Sequence, residues 1–277
     1  MPFAGLRVLS LESRRAKEME ALIIRAGGVP FVAPSVAERS VESSEQATQF
    51  LEQLEHGCFD MVIFMTGTGL AFLRDQVAAT AGLGRLSAAL GKVTLVARGP
   101  KPIPVLRELG LRPAIVVPEP NTWREIVASV AHRPERNVAV QEYGRPNPDL
   151  YAALERLGAT VFPIVVYRWA LPDDLEPLRE AVRRLAKFEV DVVLFTSSIQ
   201  LDHLFQVAAD MGLARETAHS LRRHCAIASV GPVMTASLVE AGFPPDIVPE
   251  HPKMAALVKA AAESAHGVLL AKRAAPR

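Results

Sequence analysis

A chain that matches itself when shifted by about 130 residues has few folds open to it, because each copy must be a supersecondary unit that stacks on, or is completed by, the other. This sequence does so in order. Glu12, Arg15 and Gly28 fall on Glu142, Arg145 and Gly158; the run IFMTGT ending at Thr68 falls on VLFTSS ending at Ser198. Gly99-Pro100 falls on Gly231-Pro232, and Val117-Pro118-Glu119 on Val248-Pro249-Glu250. Within each copy, short Val- and Ile-rich runs (Leu6–Leu11, Met61–Met65, Thr94–Ala97, Ala114–Val117, Val138–Val140, Asp191–Phe195) alternate with helical patterns such as Ala16–Ala26 and Leu150–Leu157. Continuous apolar runs read as strands buried on both faces. Their alternation with helices predicts α/β units with mainly parallel sheets. About five strands per copy fits a flavodoxin-like, doubly wound sheet, in which ligands bind beyond the carboxyl ends of the strands. Two such domains facing each other across a cleft are the expected arrangement.

Composition narrows the function. The 277 residues carry 31 basic and 30 acidic side chains, a formal charge of +1, where nucleic-acid binding usually shows a basic excess. Cys58 and Cys225 form no CxxC pair and read as free thiols in a reducing compartment. The opening residues lack the apolar stretch of a secretory signal. No run reads as a membrane span. A cytoplasmic protein, without nucleic-acid or membrane partners, is expected. The sequence holds no GxxxxGK[ST] phosphate loop, GxGxxG after the first strand, HExxH or GxSxG, so neither nucleotide, metal nor serine-nucleophile chemistry is signalled. No cofactor and no metal are expected.

What remains at the strand ends is hydroxyls, glycines and cations. Thr66-Gly67-Thr68 and Thr196-Ser197-Ser198 each lead into a helix. Exposed N–H groups there bind carboxylates, although plain N-capping by Thr or Ser accounts for the same residues. Gly99 and Gly231-Pro232 let backbone approach a ligand, or are ordinary turns. Arg14, Arg15, Arg98, Lys101 and Arg145 would ring the cleft with cations, arginine being suited to bidentate carboxylate recognition. Tyr167, at the end of Phe162–Val166, is either a half-buried strand aromatic or a phenol able to donate to a leaving oxygen.

These residues stand in an order that resembles the uroporphyrinogen-III synthase family over about residues 6 to 263. It is carried by VLSLESRRAKEMEALIIRAGG, FDMVIFMTGTGLAFL, ARGPKPIPVLRELGL, GATVFPIVVYRW, VDVVLFTSSIQLDHLF and ASVGPVMTASLVEAGFPPDIVPEHPKMAALVKA. The resemblance implies two flavodoxin-like domains joined by a two-stranded linker and not split at the repeat. One would be 1–36 with 171–265, the other 40–165, and 266–277 would be a disordered tail. It implies a lyase of haem and tetrapyrrole biosynthesis that cyclises hydroxymethylbilane with loss of water and inversion of the last pyrrole ring. Tyr167 would assist departure of the hydroxyl, and the strand-end residues above would bind substrate. A monomer is expected, with transient contact to the bilane-forming enzyme. Two departures stand out: Pro102 and Met234 occupy positions where the family often carries threonine. They motivate an alternative, a non-catalytic tetrapyrrole- or small-acid-sensing module of the same fold, with a regulatory role.

Overall fold

The computed structural model of the chain describes residues 3–40 and 45–274. In chain order the elements begin β1 (Arg7–Ser10), α1 (Ala16–Arg25), β2 (Val29–Val32), β3 (Ala37–Ser40) and α2 (Glu45–Glu55). There follow β4 (Met61–Phe64), α3 (Gly67–Thr80), α4 (Leu83–Leu90), β5 (Thr94–Ala97), α5 (Ile103–Glu108), β6 (Ile115–Val116) and α6 (Trp123–Val130). Next come β7 (Asn137–Gln141), α7 (Pro148–Arg156), β8 (Thr160–Ile164), β9 (Tyr167–Ala170) and α8 (Glu176–Ala186). The chain closes with β10 (Val192–Phe195), α9 (Ile199–Asp210), α10 (Ala214–Arg223), β11 (Ala226–Ser229), α11 (Pro232–Glu240) and α12 (Met254–Ala274).

The chain divides into two compact units, Met1–Ala37 with Ala170–Arg277, and Glu38–Trp169. In the first, the parallel sheet runs β11-β10-β1-β2, and an isolated bridge from Ala228 to Ile247 continues it past β11. This is the flavodoxin order 2-1-3-4-5. In the second, the parallel order is β6-β5-β4-β7-β8. Counted from β7, it is the same order with its two halves exchanged along the chain. Each unit therefore takes its first two strands from one sequence copy and its remaining strands from the other. The two-stranded β3-β9 sheet contains both crossings of the chain between the units.

Each sheet is buried on both faces, which is why β4, β10 and β11 are buried at every position. In the first unit one face packs Leu178, Val182, Leu204 and Leu238 of the following helices, and the other packs Met19, Ile23, Leu257 and Leu269. In the second, Phe50, Leu70, Leu73 and Leu106 cover one face, and Ile126, Leu150 and Leu154 the other.

The expectation of a disordered tail from residue 266 does not hold over 266–274. These residues complete the 21-residue helix α12, which buries Leu257, Val258, Ala261, Ala262, Ala265 and Leu269. Its end is tied down by charge: Lys272 Nζ lies 2.6 Å from Asp246, and Arg273 donates to Asp191 at 2.7 Å. Residues 275–277 of that expected tail lie outside the described residues. Among the described residues α12 alone is long and apolar enough to cross a membrane, but its apolar stripe is occupied by the first unit's core. Cys58 is exposed; Cys225 is buried, and burial pushes its thiol up to about 11.

Candidate functional site

The sequence-predicted residues lie beyond the carboxyl ends of strands, in two sets. In the second unit β4 ends at Phe64, and Thr66 caps α3 in an extended conformation, its hydroxyl accepting from Gly69 N at 3.0 Å. Tyr167 begins β9 and places its phenol oxygen 3.3 Å from the Thr66 hydroxyl. The ring is 1% exposed and stacks on Phe72 at 5.6 Å. A side chain at Gly67 would overlap the carbonyl of Lys101, which accounts for glycine at this position. Thr68 stands in the first turn of α3. Arg98 and Gly99 follow β5, and a side chain at Gly99 would overlap the Asn121 amide. Lys101 is exposed, and Arg145 follows β7.

In the first unit Thr196 and Ser197 follow β10. The Thr196 hydroxyl donates to Glu12 Oε2 at 2.6 Å, joining the ends of β10 and β1. Arg15 is engaged locally: its Nε donates to Glu18 at 2.6 Å and its backbone N–H to Glu12 Oε1 at 3.2 Å. Arg14 is exposed, and the hydroxyl of its neighbour Ser13 accepts from Ser35 and Val36 N–H groups. Ser198 is 6% exposed. Gly231 and Pro232 open α11, where the Gly231 carbonyl accepts from Ser229 Oγ at 3.2 Å and Thr235 Oγ1 donates to Ser229 Oγ at 2.9 Å. Among the described residues no group of His, Cys, Asp or Glu is placed to hold a metal.

Several N–H groups that could have met a ligand carboxylate already have internal acceptors. Gln200 Oε1 accepts from Thr196 N at 2.7 Å and Ser197 N at 3.2 Å, while its amide nitrogen donates to Leu11 O. In the second unit Gln141 Oε1 accepts from Thr66 N at 3.2 Å, and the absence of a side chain at Gly69 makes room for that amide. The two amides do the same task from opposite sides. Under the internal repeat Gln141 falls on Leu11, and Gln200 falls on Leu70. Sequence reasoning named neither glutamine; the available signal was a polar residue in one copy facing leucine in the other.

Glu142, singled out in the sequence as the repeat counterpart of Glu12 but given no role there, is 4% exposed just past β7. Tyr151 donates to its Oε1 at 2.7 Å, while Oε2 has no partner among the described residues. Burial and this hydrogen bond push the Tyr151 phenol well above its ordinary range, so it remains a proton donor at any physiological pH.

The second unit by itself carries at its strand ends the Thr66 hydroxyl, the phenols of Tyr167 and Tyr151, the buried Glu142 side chain and the guanidinium groups of Arg98 and Arg145. Such a set can hold an anionic ligand and hand a proton to a leaving oxygen.

Comparison with known proteins gives this chemistry a context. Residues 17–259 match the family model described as Uroporphyrinogen-III synthase HemD. A relative from Bacillus subtilis (strain 168), Uncharacterized protein YjjA, is 31% identical over 261 residues, spanning 92% of this chain and 94% of its own length. The crystal structure of a mutant uroporphyrinogen III synthase from the extremely thermophilic bacterium Thermus thermophilus has a TM-score of 0.71 at 25% identity, covering 95% of this chain and 100% of that one. That of uroporphyrinogen-III synthetase from Helicobacter pylori 26695 has a TM-score of 0.57 at 14% identity, covering 95% and 99%, and bears on the fold alone.

Proposed function

The chain belongs to the uroporphyrinogen-III synthase family, and from that premise we propose that it cyclises hydroxymethylbilane to uroporphyrinogen III. The observation that carries the reading is the Tyr167 phenol, held 3.3 Å from the Thr66 hydroxyl at the carboxyl end of β4. In this reaction the electron pair of the neighbouring pyrrole nitrogen expels the terminal hydroxyl, which leaves as water once it has taken a proton. The ring then closes through a spiro intermediate and inverts. Tyr167 supplies the proton or a hydrogen bond to the departing oxygen, and Thr66, itself fixed by Gly69 N–H, sets the direction of the phenol. Because the tyrosine is 1% exposed, turnover requires a motion that uncovers it, of the kind that gates many enzymes. The strand-end backbone and the arginines orient the carboxylates of the folded bilane, and positioning of this sort lowers the barrier without a cofactor. A reducing, cytoplasmic setting suits both the free thiols and this substrate.

Two substitutions favour a second reading, a tetrapyrrole-sensing module without catalysis. Met234 is 2% exposed in the first unit's core, and Pro102 is buried at the start of α5. Neither offers a hydroxyl.

One assay separates the readings. Hydroxymethylbilane is supplied to the purified chain and the type I and type III products are resolved by chromatography. The enzyme reading expects type III. Type I alone, the product of unassisted closure, overturns it.

A further inference from the structure

Most arginines of this chain that have described partners sit beside a carboxylate: Arg7 with Asp191, Arg74 with Glu108, Arg85 with Glu55, Arg133 with Glu135. Arg98 does not. Its guanidinium lies 5.3 Å over the ring of Tyr143, and among the described residues it forms no ion pair. Burial pushes its pKa down, and the only opposing influences are the phenols of Tyr143 and Tyr167. A guanidinium stays charged in any protein environment. Arg98 is partly withdrawn from water, and with no anion beside it among the described residues the guanidinium favours a negatively charged ligand here.

The surroundings specify what carries that charge. Tyr143 and Trp169 meet edge to face, with centroids 5.6 Å apart at 68°. The guanidinium of Arg145 lies 5.9 Å over the Trp169 ring. Gly144, with φ +88°, allows this close packing: a Cβ there would stand 2.7 Å from the indole. The result is a ladder of cation, phenol, indole and cation along the carboxyl edge of the second unit's sheet. Aromatic faces and edges suit a flat, electron-rich ring, and a desolvated guanidinium suits a carboxylate held bidentately.

We propose that Arg98, Tyr143 and Trp169 form a subsite for one carboxylate-bearing pyrrole ring, with Arg98 pairing with a ring carboxylate and the two aromatic side chains forming the wall on which the pyrrole packs. This rests on the tetrapyrrole reading above and assigns it a specificity element: the subsite distinguishes an acid-substituted ring from one carrying a methyl group at the same place.

The test uses the full-length chain with Trp123→Phe, which leaves Trp169 as the sole tryptophan. Anaerobic titration with uroporphyrinogen III is followed by calorimetry and by Trp169 emission. Wild-type Arg98 is expected to give saturable binding with a change in emission. Arg98→Gln is expected to raise Kd, and KM for hydroxymethylbilane, about tenfold with kcat within roughly threefold, since charge-assisted hydrogen bonds act mainly in binding here. Arg98→Lys, which keeps the charge, recovers part of the loss at low salt, a response that a merely structural arginine would not show. Equal Kd for wild type and Arg98→Gln overturns the subsite, as does calorimetric binding with Trp169 emission unmoved. If the wild type yields only type I product yet binds uroporphyrinogen III in an Arg98-dependent way, the catalytic reading falls and the subsite stands. If it binds no tetrapyrrole, both fall.

Discussion

Tyr167→Phe is expected to lower the rate of type III product formation at least tenfold, about 1.4 kcal/mol or more of barrier, while leaving the fold intact. The variant removes one oxygen. One partner is the Thr66 hydroxyl at 3.3 Å, and giving up a hydrogen bond of this kind costs about 0.5–1.5 kcal/mol. The ring keeps its stack on Phe72 and its place in the second unit's core. Circular dichroism and a thermal scan of the variant check that claim, and chromatography of the products checks the rate. A variant that turns over near the wild-type rate removes Tyr167 as the donor. The sheltered Tyr151–Glu142 pair then becomes the next phenol to replace, since it too lies against the strand end of β7.

The second large effect is on stability and is set by pH. Asp191 stands at the start of β10 with its side chain 9% exposed. Burial pushes its carboxyl up, but hydrogen bonds from Arg7 and Arg273 outweigh that and hold its pKa well below the usual carboxylate range. A folded-state pKa below the unfolded one contributes stability above the unfolded value, about 3.9. That stability is lost as pH falls through the folded value. The first unit is therefore expected to weaken progressively below about pH 4. Asp191→Asn removes this contribution at neutral pH, by about 1–2 kcal/mol, because Arg7 and Arg273 are 44% and 43% exposed and partly screened. Both tryptophans, Trp123 and Trp169, lie in the second unit. Their emission thus serves as an internal control: the far-ultraviolet transition shifts down in the variant, and the tryptophan transition stays in place. An unchanged far-ultraviolet midpoint at pH 7 means the ion-pair lattice contributes nothing.

Much of the architecture was legible because burial on two faces leaves a plain mark. The runs Met61–Met65 and Asp191–Phe195 overlap β4 and β10, and the threonine opening the loop after β4 is a helix cap. The tail was misread for the opposite reason. Lys272 and Arg273 look like solvated charges until the fold brings Asp246 and Asp191 beside them. Nor could the sequence say what the strand-end N–H groups bond to. Gln141 reaches Thr66 across 75 residues of chain, and only the pairing of β4 with β7 brings them together. The Arg98–Tyr143–Trp169 ladder was hidden likewise, because its members are drawn from separate strands and the loops that follow them.

The exchange of halves between the two units has a consequence for synthesis on the ribosome. The N-terminal β1-α1-β2 segment emerges first, but its partner strand β10 lies 184 residues from its own register position. The contiguous unit Glu38–Trp169 emerges in between. At about 5–20 residues per second the early segment waits roughly ten to thirty seconds with Val8, Leu9, Met19 and Ile23 uncovered. Until β7 has been made, the waiting segment meets β4 alone, the strand against which its own repeat copy docks. The glutamine exchange discriminates between the two matings. Seating β1 on β4 would put Leu11 where Gln141 belongs, and the Thr66 N–H would lose its acceptor. Strand-end amides placed on opposite sides thus leave the wrong mating with an unsatisfied strand-end N–H.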